Sequence, residues 1–140
     1  MTDMSFAILL RVFIAVATGV FTPAVAFSVQ STVLVFARDT TSAYSAVSGL
    51  MAYGIPYSVV SVPSSGTTLP DLSTNGVGNY GTIVVLSEVA YSYSTGFASA
   101  LTGDQWTRLF DYQVQYGVRM VRLDAYPVAD FGKYFRLRGY

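Results

Sequence analysis

Residues 33–63 read VLVFARDTTSAYSAVSGLMAYGIPYSVVSVP, and this stretch decides the fold class. It opens within a continuous apolar run at residues 32–37, rich in β-branched side chains, as expected of a strand covered on both faces. Apolar side chains at helical spacing follow, namely Ala43, Val47, Leu50 and Met51. Residues 57–62, YSVVSV, follow Pro56 and are expected to form the second strand. Strand, helix and strand in this order predict a βαβ unit with two parallel strands.

The rest of the chain continues this alternation. Residues 82–86, TIVVL, and residues 118–123 predict a third and a fourth strand. Between them, Thr102 to Gln105 has the T-x-x-Q pattern of a capping box, which starts a helix that Gly117 can end. The chain is therefore expected to form a three-layer α/β domain with a mostly parallel sheet of about four or more strands. Its topology is expected to be flavodoxin-like, or glutamine-amidotransferase-like.

The pattern also predicts helix ends, helix faces and loops. Thr41 or Ser42 is expected to cap the first helix, and Gly54 to end it. The second helix is expected to bury one stripe of side chains, namely Trp106, Leu109, Phe110 and either Gln113 or Val114. Residues 63–80 are dominated by Ser, Thr, Gly, Pro and Asn and predict a long loop, and residues 87–96 predict a second irregular stretch.

The amino-terminal residues resemble a targeting segment. Arg11 precedes an apolar centre of about ten residues, and Ala24, Val25 and Ala26 provide an A-x-A exit. These features predict a secretory signal peptide. The alternative is a membrane anchor, but a span of about 20 residues would have to start near Phe6 and enclose Arg11. The expected organisation is a signal peptide at residues 1–26, a single α/β domain at 27–132 and a divergent tail at 133–140. The mature protein would be extracellular, with a cell-wall association and no membrane contact.

Composition excludes several functional classes. Only 11% of the 140 residues are charged, and eight basic and eight acidic side chains cancel, so no net charge attracts nucleic acid. The absence of histidine and cysteine excludes Cys–His pairs, Ser–His–Asp triads and histidine-ligated zinc. Neither glycine-rich nucleotide fingerprint follows the first strand. We expect no catalytic residue, no metal, no cofactor and no enzyme activity in the isolated chain.

Acidic and tyrosine side chains follow the predicted strands. Because the carboxyl ends of parallel strands meet at one edge of a sheet, these residues predict a polar cleft for hydroxyl-rich or cationic ligands. The candidate ligand-binding residues are Asp39, Glu88, Tyr91, Tyr93, Asp124 and Tyr126. Two alternatives stay open. The acids can instead cap helices and pair with Arg38 and Arg122, or Asp39, Glu88 and Asp124 can serve an independent hydrolase.

Several stretches together resemble one protein family. They are residues 33–63, LPDL, NYGTIVVLSEVAYSY and LTGDQWTRLFDYQVQYGVRMVRLDAYP, and they span roughly residues 31–132. They resemble the N-terminal region of secreted fungal polysaccharide deacetylases of the galactosaminogalactan type, also labelled extracellular serine-rich proteins. The resemblance implies a carbohydrate-binding or accessory region, with the metal-dependent deacetylase in a separate, later domain. None of that domain's metal ligands has a counterpart in this chain.

The resemblance and the composition together predict a secreted, non-catalytic module. Its expected partner is a polysaccharide, with an amino-sugar polymer as the candidate, and full-length relatives imply a contact with a deacetylase domain. The alternative is a structural domain that only packs against a catalytic deacetylase domain and stands here as a truncated copy.

Overall fold

A computed structural model describes residues 27–125. The predicted signal peptide and the predicted divergent tail lie outside the described residues. The elements follow one another in the order β1 (Val33–Ala37), α1 (Thr40–Ala52), β2 (Tyr57–Ser61), β3 (Ser73–Thr74), β4 (Val77–Gly78), β5 (Thr82–Leu86), β6 (Ala90–Tyr93), β7 (Gly96–Ser99), α2 (Gly103–Tyr116) and β8 (Arg119–Leu123). A single 3-10 turn, Ser87–Val89, joins β5 to β6.

Four strands form the main sheet in the order β2-β1-β5-β8, and all three neighbouring pairs are parallel. The predicted α/β class and parallel sheet are confirmed. The chain moves from β1 outward to β2, and then returns to place β5 on the other side of β1. In open α/β sheets this reversal of strand order marks the edge where ligands bind. The finer likeness to a flavodoxin or amidotransferase fold stays a prediction.

The sheet lies between two helical layers because its central strands bury side chains on both faces. Leu34 and Phe36 of β1 pack with Leu109 of α2, and all three side chains are fully buried. Val35, between them on the strand, points to the opposite face and packs in the cluster that contains Val47 of α1. Successive strand residues point to opposite faces, so a run of buried β-branched residues needs cover on both sides. The three predicted layers are present.

The first helix is capped two to three residues earlier on the chain than the sequence suggests. Asp39 is the N-cap of α1, and its carboxylate accepts a 2.7 Å hydrogen bond from the backbone N–H of Ser42. Ser42 Oγ accepts one in return from the Asp39 N–H, at 3.1 Å. The expected cap at Thr41 or Ser42 is therefore wrong, although Gly54 takes the predicted left-handed conformation, with φ at 64°. Met51, expected on the inner face, is exposed.

The second helix has the predicted ends, and its inner face agrees with the prediction only in part. Its capping box pairs Thr102 with Gln105, and Gly117 ends it with φ at 65°. The side chains that face the core are Leu109, Tyr112 and Tyr116, whereas Trp106 is half-buried and Phe110 and Val114 are exposed. The Tyr112 hydroxyl accepts a hydrogen bond from the Tyr80 N–H and donates one to the Tyr80 carbonyl, at 2.9 and 2.7 Å. A tyrosine whose hydroxyl is satisfied in this way can replace an apolar core residue.

The two expected loops both contain short antiparallel hairpins. β3 pairs with β4 inside residues 63–80, and β6 pairs with β7 after β5. The prediction of an irregular stretch at residues 87–96 is therefore wrong beyond the turn at Ser87–Val89. No helix among the described residues has the length and apolar character that crossing a membrane requires.

Leu109→Ala is expected to lower the free energy of unfolding by about 2–5 kcal/mol, because it deletes a fully buried side chain and leaves a cavity under α2. The matched control is Val114→Ala on the same helix, which is 85% exposed and should change stability by less than about 0.5 kcal/mol. Urea unfolding followed by circular dichroism measures both variants. Equal losses would contradict the inner face assigned to α2.

Candidate functional site

The three acids lie at the carboxyl edge of the sheet, but they have different surroundings. Asp39 follows β1 and caps α1. Glu88 follows β5 and pairs with Arg122 of β8, with 3.2 Å between Oε1 and Nη1. Asp124 follows β8, and its carboxylate accepts a 2.9 Å hydrogen bond from the Ser87 hydroxyl. The structure thus brings Glu88 and Asp124 together across the ends of β5 and β8. No hydrogen bond or ion pair within residues 27–125 joins Asp39 to either of them.

A left-handed turn determines the position of Glu88. Ser87, Glu88 and Val89 have φ angles of 47°, 54° and 44°, and Asp124 has φ at 53°. Side-chain-bearing residues rarely adopt this conformation, and for the β-branched Val89 it is strained by about 1–3 kcal/mol. Burial of the Val89 side chain helps to hold the turn in place. Such strain persists only where surrounding contacts impose it, and it is common at binding sites.

The end of the β6–β7 hairpin fixes this turn from one side. The Ser99 hydroxyl donates a 2.7 Å hydrogen bond to the Glu88 carbonyl, and the Ala100 N–H donates one to the Val89 carbonyl at 3.0 Å. On the other side, Arg122 and Asp124 contact the side chains of Glu88 and Ser87. The turn is therefore bonded through both its backbone and its side chains, which gives Glu88 a defined position before any ligand arrives.

The predicted tyrosines lie on the other half of the edge. The Tyr91 hydroxyl donates to the Val62 carbonyl, and the Tyr93 hydroxyl to the Ser64 carbonyl, each at 2.7 Å. Arg38, which follows β1, lies 6.0 Å from the centre of the Tyr91 ring. Since the tyrosines belong to β6 and reach the segment beyond β2, the hairpin crosses the end of β1. Both tyrosines support the hairpin, whereas Tyr126 lies outside the described residues.

An aromatic surface beside Glu88 was not found from the sequence. Trp106 and Phe110, one turn apart on α2, have ring centres 6.0 Å apart and planes inclined by 26°. The Arg122 guanidinium lies 4.7 Å from the Trp106 ring centre and 5.8 Å from that of Phe110. We call Trp106, Phe110 and Arg122 the aromatic platform. Phe110 is 44% exposed, whereas Trp106 is partly buried against the core, so the Phe110 ring is the part of the platform that faces solvent.

The sequence of α2 contains two aromatic pairs that compete for the side of the helix that faces the sheet. Trp106 and Phe110 are four residues apart on α2, and so are Tyr112 and Tyr116. The two pairs point in different directions around the helix, so only one of them can face the sheet. Apolarity favours the first pair, but the second has the backbone of Tyr80 as a hydrogen-bond partner. The first pair is therefore left on the flank of α2.

The platform and the neighbouring acids form a surface with two kinds of contact. The rings offer a flat apolar area, and Arg122, Glu88, Ser87 and Asp124 offer donors and acceptors beside it. A sugar ring has the complementary character, with an apolar C–H face and a rim of hydroxyls. Among the described residues no group of histidine, cysteine, aspartate and glutamate side chains could hold a metal ion.

A separate groove of about 250 Å³ lies between the segment before β3 and the outer face of α2. Its lining is mostly polar and consists of Asp71, Leu72, Ser73, Arg108, Asp111, Tyr112 and Gln115. The Asn79 amide donates to the Asp71 carbonyl at 2.8 Å and so holds the loop wall of this groove. The groove has no exposed ring comparable to the platform, so we regard it as a secondary surface.

The chain is similar to one protein family and to a solved structure. Residues 29–137 match the protein family described as Agd3 CBM87. A solved structure described as "Crystal structure of Agd3 a novel carbohydrate deacetylase" is 56% identical over 76% of this chain, with a TM-score of 0.74. The matched part makes up 16% of that deacetylase chain. No curated protein matches the sequence.

Asp39→Asn is expected to flatten the acid side of the stability profile. The Ser42 backbone N–H, and then the Ser42 side chain, lower the pKa of Asp39 from its ordinary value of 3.8. A lowered pKa in the folded state stabilises the fold above the ordinary pKa, and this contribution is lost as the pH falls through the folded value. Asparagine keeps a capping oxygen but does not titrate in this range.

Thermal midpoints between about pH 2 and 6 measure the effect. The wild type should lose more stability than Asp39→Asn on acidification, whereas Asp39→Ala should be less stable than both at neutral pH because the cap itself is lost. Parallel acid profiles for the wild type and the asparagine variant would show that Asp39 is not the titrating cap.

Proposed function

The chain belongs to the Agd3 CBM87 family of carbohydrate-binding modules, and from this premise we propose that it binds a polysaccharide at the ends of β5 and β8. It is a non-catalytic accessory module that resembles one part of a deacetylase, and it spans 16% of the deacetylase chain that it matches. We do not propose an independent hydrolase built on Asp39, Glu88 and Asp124, because the family that the chain matches is a carbohydrate-binding module.

The observation that carries the proposed site is the aromatic platform. The exposed ring of Phe110 is the open apolar area, and Trp106, which lies partly buried beneath Arg122, supports it. We propose that the C–H face of one sugar ring packs on this area. Large rings held in one orientation supply contact area at a small entropy cost, which is why aromatic side chains often dominate binding energies.

The charged pair next to the platform would bind the rim of the sugar. Arg122 is held over the rings by Glu88, and with side-chain exposures of 24% and 31% both groups are partly accessible to solvent. Surface ion pairs usually contribute less than about 1 kcal/mol to stability. We therefore propose that the pair serves to position Arg122 and Glu88 beside the platform rather than to stabilise the fold. The Glu88 carboxylate and the Arg122 guanidinium would then contact hydroxyls at the rim of the sugar.

The strained turn supports the same site. Ser87 and Glu88 lie in a turn that is bonded on both sides before a ligand binds. A group that is already ordered loses little conformational entropy on binding, which favours affinity. The strained backbone is therefore explained by the need to hold Ser87 and Glu88 in position for a ligand, which an ordinary loop would not require.

We also propose that the polysaccharide is an amino-sugar polymer. Glu88 and Asp124 place two carboxylates at the same strand ends, and these can pair with a free amino group of a deacetylated hexosamine. Asp39, Tyr91 and Tyr93 would extend the surface across the end of β1, and Tyr126 would extend it beyond β8. We further propose that residues 1–26 act as a secretory signal and that the module works outside the cell.

A structural role is the second candidate. The deacetylase that the chain resembles is several times longer than the matched region, so a platform of this kind could also pack against a neighbouring domain. Contact with a deacetylase domain would then bury Phe110 and Trp106. Glycan binding by the isolated chain distinguishes the two candidates, because a purely structural surface has no affinity for sugars.

Phe110→Ala and Trp106→Ala are each expected to weaken binding to a partly deacetylated hexosamine polymer by about tenfold or more, because each removes a ring from the platform. Glu88→Gln should weaken binding to the deacetylated polymer more than to its acetylated form, since a neutral amide no longer pairs with an amine. Isothermal titration calorimetry with both polymers measures these effects. Val114→Ala, an exposed change on the same helix, is the control.

Trp106 is half-buried rather than fully buried, so the circular dichroism spectrum of each variant must also match the wild type. Tyr91→Ala and Tyr93→Ala should weaken binding as well, and Tyr91→Phe separates the ring from the hydroxyl that bonds Val62. Normal binding by folded platform variants would move the site to the groove beside Arg108. No binding of any cell-wall polysaccharide by the wild type would favour the structural role.

A further inference from the structure

The two edges of the main sheet differ in how they are protected. Within residues 27–125, β2 pairs only with β1 and β8 pairs only with β5, so each has one open side. β8 carries Arg119 and Arg122, and charged side chains on an edge strand discourage pairing with other chains. β2 has the sequence YSVVS, with neither charge nor proline. An edge strand of this kind is a template for another strand.

The surroundings of β2 are equally uncharged. No aspartate, glutamate, lysine or arginine lies between Asp39 and Asp71, although this stretch includes all of α1 and β2. Large apolar side chains are exposed on the same stretch, namely Tyr44, Met51, Tyr53, Ile55 and Tyr57. A solvent-facing helix usually carries charge on its outer face, so a flank without any charge indicates a surface that another protein surface covers.

The backbone of β2 shows which groups face the open side. The Pro56 carbonyl accepts a hydrogen bond from the Val33 N–H, and the Val62 N–H donates to the Ala37 carbonyl, each at 2.8 Å. Successive residues of a strand direct these groups to opposite sides. The N–H and C=O groups of Tyr57, Val59 and Ser61 therefore point away from β1 toward the open edge.

From this geometry we propose that two copies of the chain pair through β2 in antiparallel orientation, with a two-fold axis at Val59. The outward groups of residues 57, 59 and 61 then meet those of residues 61, 59 and 57 of the second copy. This register forms about six backbone hydrogen bonds and joins two four-stranded sheets into one continuous sheet.

The uncharged β2 edge is best suited to pairing with a second copy of the same chain. A two-fold interface brings the same patch of each subunit together, so any net charge on that patch would repel its own copy. The β2 flank has no charge to repel. The pattern of outward groups is also symmetric about Val59, as pairing with an identical strand requires. Half-buried Val59 would then pack against its own counterpart and lose its remaining exposure.

The first test measures the molecular mass of the protein in solution. Size-exclusion chromatography with multi-angle light scattering on the purified full chain should give twice the monomer mass at micromolar concentrations and above. Ser61→Pro removes an N–H that points to the open edge, and Ser61→Lys adds a charge there, so both should shift the protein to the monomer mass. Val121→Lys adds the same charge to β8 and should leave the dimer intact.

The second test uses the absence of cysteine from the chain. In the proposed register the two Val59 Cα atoms lie roughly 5.5 Å apart, which suits a disulfide. Val59→Cys should therefore give a covalent dimer under mild oxidation, and Val121→Cys should not. A wild type that is monomeric at all concentrations, or a dimer that persists in both Ser61 variants and cross-links equally at both positions, would overturn the proposal.

Discussion

The complete burial of β1 is the constraint on which the rest of the structure depends. All five of its residues are buried, and it has a parallel neighbour on each side, β2 and β5. Such a strand needs helices on both faces; α1 forms the crossover from β1 to β2, and α2 belongs to the crossover from β5 to β8. Polar chemistry is excluded from the interior by this arrangement. It can occur only at the strand ends and on the helix flanks, where the candidate residues in fact lie.

The left-handed turn after β5 shows how the interior and the site are connected. Val89 is fully buried, so its side chain belongs to the core, while its neighbour Glu88 reaches the surface pair with Arg122. An ordinary turn would not place both residues in these positions. The strain of the turn is offset by the burial of Val89 and by the hydrogen bonds from Ser99 and Ala100. Core packing thus determines the position of a surface carboxylate.

The sequence predicted the parts of this fold that depend on local pattern. The strands, the parallel sheet and the capping box of α2 follow from apolar runs and from side chains that bond their own backbone, as Thr102 and Gln105 do. The parts it did not predict depend on contacts between distant residues. Tyr112 faces the core because Tyr80 lies opposite it, and this leaves Trp106 and Phe110 on the flank for Arg122 to cover. No pattern within α2 contains that information.

The contrast between the two sheet edges connects recognition with assembly. The arginines of β8 protect one edge, and one of them, Arg122, also holds the proposed site, whereas the neutral β2 edge is free to pair. A two-fold axis perpendicular to the joined sheet would put the two aromatic platforms on the same face, at opposite corners roughly 35 Å apart across eight strands. A single sugar cannot reach both platforms, but a polymer or two neighbouring polymer chains can. Linked weak sites gain affinity without any new contact, provided that the ligand spans them. A dimer formed through β2 would therefore bind polysaccharides more tightly than free sugars, although each copy has only one platform.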